Sequence, residues 1–163
     1  RAERQILLGL VQDLIRADAR IDVFEFCLSK LVALSISSEL EAATAHGSLK
    51  LSDAAAEIAV LFSVLAGRGA TAGTDARRAY EAGLSRVLPL TRPAYAQLEQ
   101  WPAALDAALS RLVSLHPFAK RALIEGLVVT VSHDGRLTLA EAELLRTVCA
   151  VLQCPLPPLL PAG

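Results

Sequence analysis

The sequence contains no methionine, one tryptophan, two tyrosines and four phenylalanines, so aromatics make up only 4 % of its 163 residues. A translation product starts with methionine, and the chain is therefore expected to be an excised piece of a longer protein or one whose start is missing. With few rings available, a core must be built from Leu, Val, Ile and Ala. Neither charge sign dominates: 16 Lys and Arg oppose 17 Asp and Glu, for a formal net charge of −1. That balance excludes a general attraction to nucleic acid or to an anionic membrane. No apolar run is long enough to span a bilayer, which takes about 20 residues. The most apolar stretch, Ala54 to Ala66, is interrupted by Glu57, and the stretch Ala122 to Val131 contains Glu125. No signal peptide is visible, since Arg1 to Arg4 lead straight into an amphipathic pattern. Cysteine is sparse too. Cys27, Cys149 and Cys154 are odd in number and lack CxxC spacing, which points to reduced, buried thiols in a reducing compartment.

What remains is rich in helix formers, with 53 % hydrophobic residues. Length predicts one domain over 1–163, ending in a proline-rich tail over 154–163. Ile6, Leu7, Leu10, Val11 and Leu14 recur at helical steps and predict a first helix ending near Ala17. Asp22 reads as an N-cap with Glu25 three residues on, and Leu28, Leu31 and Val32 as that helix's inward stripe. A short helix and turn is expected over Ser37 to Gly47. Further helices are expected from Ser52 or Asp53 to the Gly67–Gly73 loop, and from Thr74 through Leu88. Pro93 and Pro102 each suit the first turn of a helix, where a missing N–H costs nothing. Trp101 is expected to anchor that joint in the core. Pro117 to Val131 has few polar positions and reads as the central helix. Thr138 and Glu141 form a second capping box, leading a helix to Gln153. No strand alternation is present. The expectation is an all-α bundle of about seven to eight helices. In the tail, Leu156, Leu159 and Leu160 are expected to pack back onto the bundle, the alternative being a polyproline surface for a partner.

One feature stands apart from composition. The stretch Asp18-Ala-Arg-Ile-Asp-Val-Phe-Glu25-Phe-Cys-Leu28 is echoed by Asp134-Gly-Arg-Leu-Thr-Leu-Ala-Glu141-Ala-Glu-Leu144. A constant offset lays Asp18 on Asp134, Arg20 on Arg136, Glu25 on Glu141 and Leu28 on Leu144. Two similar helix–loop–helix units at the ends predict a bundle closed by pairing them. As calcium loops both copies fail, because Thr130 and Ser132 in one, and Leu14 and Arg16 in the other, stand where carboxylates are needed. Two readings stay open. Asp18, Glu25, Asp134 and Glu141 are the candidate metal-ligating residues if the units pack side by side, since four gathered carboxylates require a cation. Otherwise they are turn and cap residues, with Arg20 and Arg136 as surface partners for the two Asp.

Other chemistries find no motif. His46, His116 and His133 form no HExxH, no Gly-x-Ser-x-Gly elbow occurs, and Gly67–Gly73 lacks the Lys-Ser/Thr of a phosphate loop. His116, just before Pro117, is a candidate helix cap. Catalytic and cofactor-binding residues are therefore expected to be none.

The segment His116-Pro-Phe-Ala-Lys-Arg-Ala-Leu-Ile-Glu, then Asp134-Gly-Arg-Leu-Thr-Leu-Ala-Glu-Ala-Glu-Leu-Leu-Arg146, then Leu152-Gln-Cys-Pro-Leu-Pro-Pro-Leu-Leu160, resembles the C-terminal soluble region of bacterial membrane-bound zinc endopeptidases. These are the CAAX-prenyl-protease and heat-shock-protease group. The Asp-Gly-x-Leu-Thr-x-x-Glu core is also similar to tellurite-resistance protein B-like helical domains. The first resemblance implies a non-catalytic appendage on the cytoplasmic side of the inner membrane. The zinc-binding HExxH and membrane helices would lie upstream, and the partner would be a protein or the rest of its own chain. The second implies divalent-metal binding or sensing through acidic loops, at Asp134 and Glu141 and, in the first copy, Asp18 and Glu25. Ala19 departs from that pattern where the second copy has Gly135.

Overall fold

The computed structural model describes residues 22–37, 47–69 and 73–158, together with Ile6 and Leu10. Six α-helices lie among these residues: α1 (Val23–Ser37), α2 (Ala55–Gly69), α3 (Gly73–Val87), α4 (Trp101–Leu112), α5 (Pro117–Val131) and α6 (Leu139–Leu152). A 3-10 turn, Leu51–Ala54, leads into α2. One parallel bridge between Leu49 and Leu115 is the single β-type contact among the described residues. The chain is all-α, as its periodicity requires, with six helices described against the seven to eight expected. Apart from Ile6 and Leu10, the helix expected before Ala17 lies outside the described residues, as do residues 38–46.

The organising helix is α2. Leu61 to Ala66 are all buried, Ser63 included, and α2 packs on α3, α4, α5 and α6. A helix apolar on every side must be surrounded. This corrects the expectation that Pro117–Val131 is central. That helix, α5, lies against α3 and α2 but leaves Phe118 77 % exposed.

Two glycines set the α3–α5 crossing, the most extensive helix contact among the described residues. A Cβ on Gly83 would overlap Thr130 Oγ1 and lie 2.7 Å from the Gly126 carbonyl oxygen. A Cβ on Gly126 would overlap a Val87 methyl and lie 3.1 Å from the Gly83 oxygen.

The α3–α4 connection replaces a helix expected from Pro93. Pro89 and Pro93 disfavour helical backbone at the residues before them, and core groups then fasten the segment. Tyr80 Oη donates to the Pro93 carbonyl at 2.6 Å, and Ala96 N donates to Ser63 Oγ at 3.3 Å. Tyr95 meets the Tyr80 ring edge-on at 5.6 Å. Pro102 does enter the first turn of α4. Trp101 is buried at that joint, against Phe26 at 5.3 Å and beneath the Arg68 guanidinium.

The pairing of the end units is visible in α1 lying on α6. The inward face of α1 is Val23, Phe26 and Cys27; of the expected stripe, Leu31 is half-buried and Leu28 and Val32 are exposed. The reason lies in what surrounds it: Phe26 seats on Trp101, and the Lys30 ammonium pairs with Asp106 of α4. That orientation turns Phe24, Leu28 and Val32 outward.

Candidate functional site

Both copies of the repeat are helix N-termini built alike. In the second, Glu141 N donates to Thr138 Oγ1 at 3.2 Å, while Thr138 N donates to Glu141 Oε2 at 2.8 Å. In the first, Glu25 N donates to Asp22 Oδ1 at 3.1 Å and Asp22 N donates to Glu25 Oε2 at 3.2 Å. Each is a reciprocal capping box, satisfying donors that an α-helix leaves unpaired in its first turn. Just upstream, Asp134 Oδ1 accepts from Arg136 N at 2.9 Å and Gly135 takes the left-handed φ of 73°. This Asx turn reverses the chain between α5 and α6.

The copies differ in their surroundings. Glu25 is exposed. Glu141 is only 6 % exposed and lies against Gly69 at the end of α2, where a Cβ would overlap its Oε1. Glu141 lines a cavity of about 160 Å³. Asp134 and His133 come from the α5–α6 turn, Thr130 from the last turn of α5, and Asp75 and Arg78 from the start of α3. Asp75, Asp134, Glu141 and Arg78 thus line one space, and no acid pairs with Arg78 within salt-bridge distance among the described residues. Burial holds the Glu141 carboxyl above its ordinary titration range, against the lowering effect of the Thr138 hydrogen bonds, and the Asp134 charge adds to the rise.

Of the four acidic residues the repeat singles out, Asp134 and Glu141 meet at this cavity. Glu25 does not line it, and Asp18 lies outside the described residues. Among the described residues, no group of three or more His, Cys, Asp or Glu stands ready to hold a metal ion. Nothing in the local sequence ties Asp75 or Arg78 to Glu141.

The remaining candidates fall into structural roles. His116 caps α5, its Nδ1 accepting from Phe118 N at 3.3 Å. Cys27 and Cys149 are buried, Cys154 is half-buried, and none is in a disulfide. A second cavity, beside Tyr95 and Trp101, measures about 30 Å³, room for a single water. Among the described residues no helix is long and apolar enough to cross a membrane.

One surface is out of keeping with the rest. Phe24, Leu28 and Val32 lie at i, i+4 and i+8 on α1 and are 47 %, 65 % and 39 % exposed. They form a single apolar stripe on the outer side of the helix that closes the bundle.

No protein-family model, no curated protein and no solved structure matches this chain.

Proposed function

We propose that this chain is a non-catalytic interaction domain that docks through α1. The observation that carries the reading is the outward stripe of Phe24, Leu28 and Val32 on a helix already seated by its opposite face. Burying such side chains is worth roughly 1.5–3 kcal/mol each, so a partner that covers them gains affinity without disturbing the core. The parent we propose is a membrane-anchored zinc endopeptidase, with this domain regulatory and on the cytoplasmic side. Support for the parent is the residue pattern from His116 to Leu160. The occupant of the stripe is then the rest of the same chain. Zinc and the hydrolytic step belong upstream, and no residue here is assigned a catalytic role.

The parent open reading frame tests this first: an upstream sequence without HExxH and without hydrophobic spans ends the protease reading. Docking is tested separately, with a photo-crosslinking residue at position 28 of the full-length protein and a control at Glu125 on the exposed side of α5. Crosslinks from 28 to the parent chain are expected. Equal yields from both positions would end the docking reading.

A second reading, divalent-metal binding through acidic loops, draws on one observation: Asp134 and Glu141 share a cavity with Asp75. Binding to the folded state alone must raise the melting temperature. An unchanged melt in millimolar calcium, magnesium, manganese or zinc ends this alternative.

A further inference from the structure

The C-terminus of α6 brings two cysteines together. Gln153 adopts the left-handed conformation, φ 56° and ψ 39°. Gln153 N donates to the Ala150 carbonyl at 3.2 Å and Cys154 N donates to the Cys149 carbonyl at 2.9 Å. These two bonds define a Schellman motif. In that motif the residue after the left-handed one faces the residue five positions earlier, and the two side chains commonly make the apolar contact that seals the helix end. Here both are cysteine. The two thiols feel each other: burial pushes Cys149 up to about 11, and the neighbouring Cys154 adds to the rise.

We propose that Cys149 and Cys154 are a dithiol modification site, closed to an intramolecular disulfide by exchange with a small-molecule disulfide of the glutathione class. A disulfide needs Cα atoms about 4.4–6.8 Å apart, and the hydrogen bond from Cys154 N to the Cys149 carbonyl holds the two backbones side by side. The reduced Cys154 Sγ points at the Leu152 carbonyl, 3.7 Å away. Closure would then fall to the side chains, the backbones being already held together at the end of α6.

The sites differ in access, and that sets the order of events. Cys154 is half-buried, so burial pushes its thiol up, and nearby Lys120 offsets part of that rise. Cys149 is 2 % exposed. Cys154 therefore loses its proton to solvent and attacks one sulfur of the small disulfide. That S–S bond breaks and the first small thiolate leaves. Cys149, deprotonated in turn, attacks the Cys154 sulfur of the mixed disulfide and expels the second. Two protein thiols are oxidised, one small disulfide is reduced to two thiols, and the two protons released go with them. The bond would tie the start of the proline-rich segment, Pro155 to Pro158, to the end of α6. Cys27 lies on α1 beside Thr147 and is not part of this pair.

The test uses the full 163-residue chain, natively folded, titrated with oxidised glutathione. Cleavage after Arg146 leaves both cysteines on the single peptide 147–163. The expected result is that this peptide loses two hydrogens, carries no glutathione, and recovers both on adding reductant. Cys27→Ser should behave identically. Cys149→Ser should stop at a lasting glutathione adduct on Cys154. Should that variant fail to fold, pulsed alkylation of the wild-type chain replaces it: Cys149 and Cys154 must lose reactivity together while Cys27 keeps its own. A wild-type peptide that stays fully reduced at excess oxidised glutathione, or that accumulates glutathione without the internal bond, would overturn the proposal.

Discussion

The carboxyl of Glu141 holds the first turn of α6 through Thr138, yet it does so while buried against Gly69 and facing the charge of Asp134. Its titration is raised, so the folded state keeps the proton at pH values where the unfolded chain has released it. Stability is then fully present at or below the ordinary carboxyl range and falls as pH rises through the folded value. Glu141→Gln keeps a cap acceptor but removes the buried charge. Calorimetry should show a melting temperature higher than wild type at pH 8, by about 2–4 °C per kcal/mol, with the difference vanishing near pH 4. Equal slopes of melting temperature against pH in both proteins would refute the assignment. A second residue-scale prediction concerns Lys30 and Asp106. The ammonium faces Asp106 Oδ1, no other partner reaches that oxygen, and both side chains are mostly buried. Lys30→Met strands a carboxylate and should cost about 3–5 kcal/mol in urea unfolding. The double variant Lys30→Met/Asp106→Leu should recover most of that loss.

Among the elements, the α3–α5 crossing is the most sensitive. Alanine is the better helix former by roughly 1 kcal/mol, which argues for replacing Gly83 or Gly126. Backbone contact argues the other way: the new Cβ meets the facing helix, and overpacking costs typically 1–3 kcal/mol. Overlap with Thr130 Oγ1 and 2.7 Å to a carbonyl oxygen decide it. Gly83→Ala should lower stability by about 1–2 kcal/mol net, read as a reduced urea midpoint at constant slope. Gly73→Ala meets nothing within 4 Å and should be neutral or better. On α1 the contrast lies between two faces of one helix. Phe26→Ala should cost about 3–5 kcal/mol, whereas Leu28→Glu should stay within about 0.5 kcal/mol. A large loss at Leu28 would mean that the outer stripe is already covered by this chain itself.

At the scale of the molecule, pairing of the end units closes the bundle as the repeat implied, through α1 on α6. The repeat itself proves to be a repeat of capping boxes, with Asp22 over Thr138 and Glu25 over Glu141. Both boxes, the Asp134-Gly135 turn, the His116 cap, the Pro102 helix start and the burial of Trp101 were legible in the sequence. Each depends on partners a few residues apart, or on a preference carried by one side chain. The inward face of α1, the central place of α2 and the non-helical run after Pro89 were not. A pattern of apolar residues at helical spacing names faces without saying which meets a neighbour. α1 carries two apolar faces, and distant partners choose between them: α6, on which it lies, and Trp101 and Asp106 of α4, some 75 residues away in sequence.

The same division runs through the candidate sites. Local sequence was enough to determine that Glu141 caps a helix, because a capping box spans only four residues. That Asp75, Arg78 and Glu141 share a cavity, and that Glu25 lies elsewhere, was decided by how α2, α3, α5 and α6 converge. Helix formation and termination are short-range hydrogen-bond problems that neighbouring residues solve. Burial, and with it charge placement, is settled only when distant helices compete for the same core surface.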